Sequence, residues 1–374
     1  MADMAGAAAE MSVAEERISV ASNWTLVWWR FRKHKLALAS AAILAVLYAI
    51  VLCPDFFSTQ DPERTDARQA FIPIQSIHFL DDGKWAPWVP AAVGKRNPVT
   101  LRMEWGTDPA RKIRIGFFVD GPEYRFLGLV RAKVRLVGPL DPEQRIFLLG
   151  SDRMGRDQWS RIMHGTQTSM TIGLVAVTLS VVLGIVLGGV SGYFGGWIDQ
   201  VIQRLIEILQ SVPTIPIWLA LSAALPRDWT PTQVFFAITV ILSLIGWTTL
   251  GREVRGRFLA LREEDFVLAA ELAGCSRWRI IVRHMVPTFL SHIIATSSLA
   301  IPVMIINETS LSFLGLGIRP PAISWGVLLQ EAQNIQTLAL APWLLLPGLL
   351  VIVAVLAFNL VGDGLRDASD PYSK

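Results

Sequence analysis

Hydrophobic positions in this chain gather in six long runs, with the polar positions in the segments between them. The first run, LALASAAILAVLYAIVLC, fills residues 36–53 and stops at Pro54. The others cover approximately 166–190, 201–225, 233–250, a stretch from Thr288 onward, and PWLLLPGLLVIVAVLAFNLVG at 342–362. A helix needs about 20 apolar residues to cross the hydrocarbon of a bilayer, so each run predicts one crossing. SGYFGGWIDQ after the second run and PRDWTP after the third supply turn residues. Arg204 and Glu207 open the third run one helical turn apart, a spacing that lets them pair near the interface. Pro213, Pro216, Pro302 and Pro347 fall inside the third, fifth and sixth runs, where each can kink a helix.

The segment 54–165 has another period. KIRIGFFV and RAKVRLV alternate polar and apolar residues, the mark of half-buried strands, and DDGK, DGPE and GPLDPE read as turns between them. The expected fold is an all-α polytopic membrane protein with six transmembrane helices and an external, partly β insert between the first and second. Its divisions are a cytoplasmic tail 1–35, the first transmembrane helix 36–53, the external insert 54–165, a five-helix core 166–362 with a cytoplasmic loop at 251–286, and a C-terminal cytoplasmic tail 363–374. Residues 1–22 read as a loose polar-and-alanine segment.

Charge gives the orientation. Arg30, Arg32, Lys33 and Lys35 crowd the front of the first run, which by the positive-inside rule keeps the N-terminus cytoplasmic. Six crossings return the C-terminus to that side and make 251–286 cytoplasmic as well. That loop carries Arg252, Arg255, Arg257, Arg262, Arg277, Arg279 and Arg283, in agreement.

Composition fits a membrane protein: 52% hydrophobic against 17% charged residues. The net charge of +3 gives no sign of nucleic-acid binding. The first run starts too late and runs too long for a secretory signal, and Leu52 before Cys53 is too bulky for lipoprotein processing. Cys53 and Cys275 fall in different compartments, which argues against a disulfide.

The loop between the fourth and fifth runs contains DFVLAAELAGCSRWRIIVRHMVP, residues 265–287. On a helical wheel, residues 264–273 put Phe266, Ala269, Ala270 and Ala273 on one face and Glu264, Val267 and Glu271 opposite. Gly274 suits a left-handed helix end and Ser276 an N-cap. In the next helix Trp278, Ile281, Val282 and Met285 share an apolar face, with Ser276, Arg279 and Arg283 on the other side. Pro287 then starts the following span, where its missing N–H is harmless. Two amphipathic helices hinged at a glycine suit docking into a partner's groove. The same pattern also suits a hairpin lying among lipid headgroups with its arginines on phosphate.

Here the sequence resembles a known family. Ala269-Ala270, three residues, Gly274, nine residues and His284-x-x-Pro287 match the EAA loop of ABC importer permeases, with Leu268 where many members have Glu. LLGSDRMGRDQWSRIMHGTQTS (148–169), NETSLSFLGLGIRPPAISWG (307–326), NLVGDGLRDASDP (359–371) and WRFRKHKLA (29–37) resemble segments of the dipeptide/oligopeptide permease C subunits. Gln167 replaces an arginine common there, and the external insert is longer than in many members. The resemblance implies that the loop seats in a cleft of a cytoplasmic ATPase. Ala269 and Ala270 would pack closely, Gly274 would hinge, and His284 and Pro287 would lead back into the membrane. Glu264, Phe266, Ala273, Trp278 and Arg279 complete the expected coupling surface. It further implies half of a translocation pathway for peptides or similar small solutes in a bacterial inner membrane. The expected partners are a second, homologous permease in a heterodimer, two ABC ATPases that hold the ATP and magnesium, and an extracytoplasmic solute-binding protein. An ion-coupled secondary transporter or channel would require paired charges near the midplane and an inverted repeat; the spans show almost none of the former and no sign of the latter.

Other constellations are sparse. No G-x-x-x-x-G-K-[ST] occurs, since Gly83-Lys84 and Gly94-Lys95 precede Trp and Arg, so any ATPase is a separate chain. The five histidines lack metal-ligand spacing, and His164 and His292 read as packed or interfacial. No metal or cofactor is expected on this chain, and no catalytic residue. Glu308 interrupts an uncharged stretch, where a carboxylate is costly. It reads either, with Asn307, as a gate or substrate contact, or as a boundary residue capping TSLSFLGLG. Asp152, Arg153, Arg156, Asp157 and Arg161 form a mixed-sign cluster before the second span, either a lock on the outer mouth or a solvated network.

Overall fold

The computed structural model describes residues 23–99, 103–126, 128–226 and 228–369; the expected loose segment 1–22 lies outside them. The helices are α1 (Asn23–Phe31), α2 (Lys35–Leu52), α3 (Pro54–Phe57), α4 (Gln158–Phe194), α5 (Gly196–Ser211), α6 (Thr214–Ala223), α7 (Pro231–Leu261) and α8 (Asp265–Leu272). After these come α9 (Arg277–Phe313), then α10 (Trp325–Glu331), α11 (Ile335–Leu340) and α12 (Leu346–Ser369). Among the described residues, five helices are long and apolar enough to cross a membrane: α2, α4, α7, α9 and α12 with the turn before it.

The third run departs from a single rod. It forms α5 and α6, bent by 86° at a break that contains Val212 and Pro213. Proline cannot continue the helix because it lacks the N–H and its ring crowds the preceding turn. Pro216 lies in the first turn of α6, where that N–H has no partner to lose. Pro347 likewise falls in the first turn of α12 and does not kink it, whereas Pro302 does lie inside α9. Arg204 and Glu207 pair at 2.7 Å on the exposed side of α5.

The bend still leaves six traverses, because α4 and α7 run parallel. Ser180 Oγ donates to the Ser243 carbonyl (3.4 Å), Gly188 faces Gly251 and Val254, and Gly192 faces Phe258. Two parallel neighbours require the chain between them, α5 and α6, to return across the bundle. The approach is close: a Cβ on Gly188 would stand 2.4 Å from the Gly251 carbonyl oxygen, and one on Gly192 2.6 Å from Phe258 Cβ. Small residues let helix backbones meet where no hydrophobic force separates helix from lipid. α9 runs antiparallel to α4, with Ile305 against Gly173 and Glu308 against Ser169. Gly364 near the end of α12 touches Ala37 at the start of α2. The end of α7, the start of α9, the start of α2 and the end of α12 therefore share one side of the bundle, and the insert occupies the other.

The insert is a four-stranded antiparallel meander, β1 (His78–Asp81), β2 (Lys84–Arg96), β3 (Met103–Phe126) and β4 (Val130–Pro139), paired in that order. Its long strand β3 pairs with β2 over its first half and with β4 over its second. KIRIGFFV and RAKVRLV are strand segments as expected, burying Ile115, Val119 and the stem of Arg135. DDGK makes the β1–β2 turn, with Asp82 and Gly83 both at positive φ. DGPE does not turn the chain; it lies within β3 as a break in register between Asp120 and Tyr124. Cys53 and Cys275 are both free thiols.

Gly188→Val is expected to lower stability by about 1–3 kcal/mol through overpacking. Gly256→Ala, where an added Cβ meets nothing within 4 Å, should leave it unchanged or slightly raised. Thermal melts of the detergent-purified variants measure both.

Candidate functional site

The connection between α7 and α9 folds as the sequence suggests in outline and differently in its faces. α7 continues past its apolar run to Leu261, and α8 follows after Arg262, Glu263 and the N-cap Glu264. Val267 and Ala270 turn inward and pack with Val254, Phe258, Ile280, Ile281, Met285 and Phe289. Val267, expected opposite the alanine face, is thus the anchor of α8. Phe266, Ala269 and Ala273 point outward with Leu268 and Leu272. The wheel misleads because α8 is short and pinned from one side by the ends of two long helices.

Gly274 takes φ +76°, the left-handed end expected of it. Its N–H donates to the Glu271 carbonyl (2.9 Å) and that of Cys275 to Ala270 (3.1 Å). Ser276 Oγ caps the next helix, accepting from Arg279 N–H (3.4 Å). That helix is not separate: it runs through a π-helical stretch, Ile280–Met285, and a 3-10 turn, Val286–Phe289, into the rest of α9. The π geometry shifts the buried face to Ile280, Ile281 and Met285, so Trp278 (58% exposed) and Val282 stand outside the apolar face expected of them. Glu264, Arg279 and Pro287 are exposed, and His284 is half-buried.

Two contacts tie this hairpin to the end of α4. Tyr193 donates from its hydroxyl to Glu271 Oε1 (2.7 Å), and the Arg277 guanidinium lies 5.4 Å over the Phe194 ring. Sequence reasoning missed both aromatics in this role; their place at the end of the second run, in SGYFGGW, was the available signal. The hairpin offers an outer surface of Phe266, Leu268, Leu272 (91% exposed), Trp278 and Val282 set among arginines. Apolar side chains gathered on a polar-rimmed surface mark an interaction site.

At the opposite end of the bundle, the mixed-sign cluster is buried, which overturns the solvated reading. Arg156 donates to Asp152 (2.7 Å) and to Glu331 (2.8 Å). Arg161, 1% exposed, donates to Asp152 and reaches both Glu331 oxygens at 3.1 Å. Glu331, at the end of α10, was missed; a lone carboxylate between Glu308 and Asp363 was its signal. Arg153 stays exposed and outside the network. Asp157 instead caps α4, accepting from Ser160 N–H (2.9 Å), Ser160 Oγ (2.6 Å) and Thr59 Oγ1 (2.8 Å). Burial pushes its carboxyl up from the ordinary value. Asp55 is held low by its hydrogen bond to His164, and His292 lies 3.4 Å from Glu253.

Glu308 does not cap a helix. It lies within α9 at 0% exposure and accepts from Ser169 Oγ and Ser312 Oγ, both at 2.8 Å. Those hydroxyls in turn accept from Trp325 N–H (3.1 Å) and Ile318 N–H (3.0 Å). Trp325 Nε1 also donates to Thr166 Oγ1 at 3.1 Å. The relay satisfies the backbone N–H of Ile318 in the irregular segment 314–324 and that of Trp325, the first residue of α10, which it seats on α4. Asn307 beside it is half-buried. Glu308 thus links α4 to α10 through Ser169, Asp152 and Arg156 reach α10 through Glu331, and Asp157 caps α4. No cluster of three or more metal-ligating side chains occurs among the described residues.

A six-traverse helical bundle, with an exposed hinged hairpin at one end and an internal ion network at the other, defines a polytopic membrane subunit of a transport system. The chain belongs to the binding-protein-dependent transport system inner membrane components, whose family model matches residues 180–373. The N-terminal TM domain of oligopeptide transport permease C matches residues 22–73. Members of this family are membrane permease subunits and not enzymes. The chain is 42% identical over 226 residues to the oligopeptide transport system permease protein OppC of Salmonella typhimurium, covering 60% of this chain and 72% of that one. It is 34% identical over 231 residues to OppC of Bacillus subtilis, 62% and 73% covered. It is 38% identical over 226 residues to the dipeptide transport system permease protein DppC of Alkalihalophilus pseudofirmus, 60% and 72% covered. A solved chain of the MetNI methionine ABC transporter aligns with a TM-score of 0.42 at 15% identity, over 55% of this chain and 95% of that one.

Glu331→Ala should destabilise the protein by about 3 kcal/mol, since it removes the shared partner of two buried arginines. Arg153→Ala should change stability little. Chemical or thermal unfolding in detergent measures the contrast.

Proposed function

We propose that this chain is one of two permease subunits of an ATP-driven importer of peptides or similar small solutes. The insert faces outward, where a solute-binding protein delivers substrate. Both chain ends and the hairpin 264–286 face the cytoplasm, a reading that the arginine-rich flanks support. A second, homologous permease supplies the other half of the pathway. The exposed apolar stripe of α5, with Trp197, Val201, Leu205 and Ile208, offers a surface for it. Two ATPases carry the ATP and magnesium.

The observation that carries this reading is the division of the hairpin into two faces. Val267, Ala270, Ile280 and Ile281 bind it to the ends of α7 and α9, while Phe266, Leu272 and Trp278 are left outward. A surface fixed to two crossings and open to a partner converts a partner's motion into helix displacement. ATP-driven closure of the ATPases would draw the two permeases' hairpins together and open the pathway outward; hydrolysis would reset it. The chain's own work is a shift between two packings, driven by differential contacts with the ATPases.

Two substitutions test the coupling. Ala270→Trp cannot fit against the ends of α7 and α9 and should lift α8 from its seat. Gly274→Pro forbids the positive φ. Both variants should insert and purify with the bundle intact, yet lose substrate-stimulated ATP hydrolysis by about tenfold, the scale of a coupling free energy of ~1–3 kcal/mol. Proteoliposome uptake and ATPase assays on the assembled complex measure this, and wild-type stimulation in both variants would refute the coupling role.

A further inference from the structure

The tip of the β3–β4 hairpin reads RFLGLVR at residues 125–131, an apolar turn with arginine on either side. Arg125 pairs across the hairpin with Arg131, and Phe126 with Val130. Gly128 turns the chain at φ +72°. Leu129 is 85% exposed and Val130 62%, and both arginines are exposed as well. A ribbon in water ordinarily ends in polar turn residues; this one ends in its most apolar segment. The tip lies between the two family matches, which cover 22–73 and 180–373.

Two observations fix its height. Midway along β4, Arg135 Nη1 donates to the Ser58 carbonyl (3.1 Å), just past the end of α3. Nearer the tip, Tyr124, Arg125, Phe126 and Gly128 line a cavity of ≈ 470 Å³ whose facing wall runs from Val51, Leu52 and Cys53 to Pro54 and Asp55, with Gln167 of α4. The hairpin thus runs back down alongside α2, from a level beyond the crossing to its last turn. Val51 and Leu52 belong to an uncharged stretch that spans the bilayer, and Leu52 is itself exposed. Whatever surrounds the end of α2 surrounds the tip.

We propose that this tip dips into the bilayer leaflet on the insert's side, with Phe126, Leu129 and Val130 among the upper acyl chains and Arg125 and Arg131 on lipid phosphates. Apolar side chains below and basic ones at headgroup level form the pattern of an interfacial anchor. Each basic residue near an anionic surface adds about 1 kcal/mol, roughly fivefold in partition. The anchor fixes the tilt and height of the insert above the crossings.

The test uses the full-length chain with Cys53→Ser and Cys275→Ser, and Leu129→Cys carrying an environment-sensitive fluorophore. The protein is reconstituted in phosphatidylcholine vesicles with and without phosphatidylglycerol. The expected result is blue-shifted emission, quenched by lipid bearing a doxyl group near the headgroup and resistant to aqueous iodide. Quenching by iodide alone would put the tip in water, and protection from both quenchers would bury it against protein; either overturns the proposal. Val130→Cys repeats the reading should the first variant fail to reconstitute. Arg125→Gln with Arg131→Gln should abolish the added blue shift that phosphatidylglycerol gives. An unchanged lipid dependence would overturn the role of the arginines.

Discussion

A carboxylate placed among membrane helices must find every hydrogen bond inside the protein, and Glu308 does so. Its oxygens are held by Ser169 and Ser312, and those hydroxyls hold backbone N–H groups of Trp325 and Ile318. Irregular backbone is tolerated near membrane depth only where its polar groups are satisfied by protein. The segment 314–324 is such backbone, and the carboxylate with its two serines holds the N–H of Ile318 within it and of Trp325 at the start of α10. The seating of α10, and with it Glu331, follows from that relay. Arg156 and Arg161 then find their second partner, and the start of α4 is locked to the chain that follows α9.

The two ends of the bundle are built on opposite principles. At the insert end, charges are buried, paired and shared among several elements, an arrangement in which loss of one member strands the others. At the hairpin end, arginines and large apolar side chains stand side by side on the surface. Between them α4 and α7 meet through Gly184, Gly188 and Gly192, a contact too close to slide without clash. One end thus turns its charges inward, and the other offers its chemistry outward.

Much of this was legible in the residues. Hydrophobic runs marked the crossings because hydrocarbon demands length and apolarity and little else. Gly274 and Ser276 were readable because a left-handed helix end and an N-cap depend on local chemistry alone. The inward anchor Val267 and the displaced Trp278 were not, because burial there is set by the ends of α7 and α9 and by a π-helical stretch that alters the helical period. Proline marked the broken third crossing, but its angle depends on what α5 packs against, including the bidentate pair of Arg255 with Asp199 at 2.5 and 2.6 Å. The cluster at 152–161 was visible, yet its burial was not, since the partner that closes it comes from Glu331, far along the chain.

The second arm of the hairpin and the fifth crossing form one rod, whose regular winding is interrupted by the π and 3-10 stretch from Ile280 to Phe289 and again by Pro302. Gly274 separates α8 from that rod and does not interrupt it. A sideways load applied at Trp278 would therefore pass through those irregular turns and then the proline before reaching Glu308. Under the proposed coupling, the stiffness of these sections would set how much movement arrives at the Glu308 relay, placing the gearing in the winding of α9 and not in Gly274.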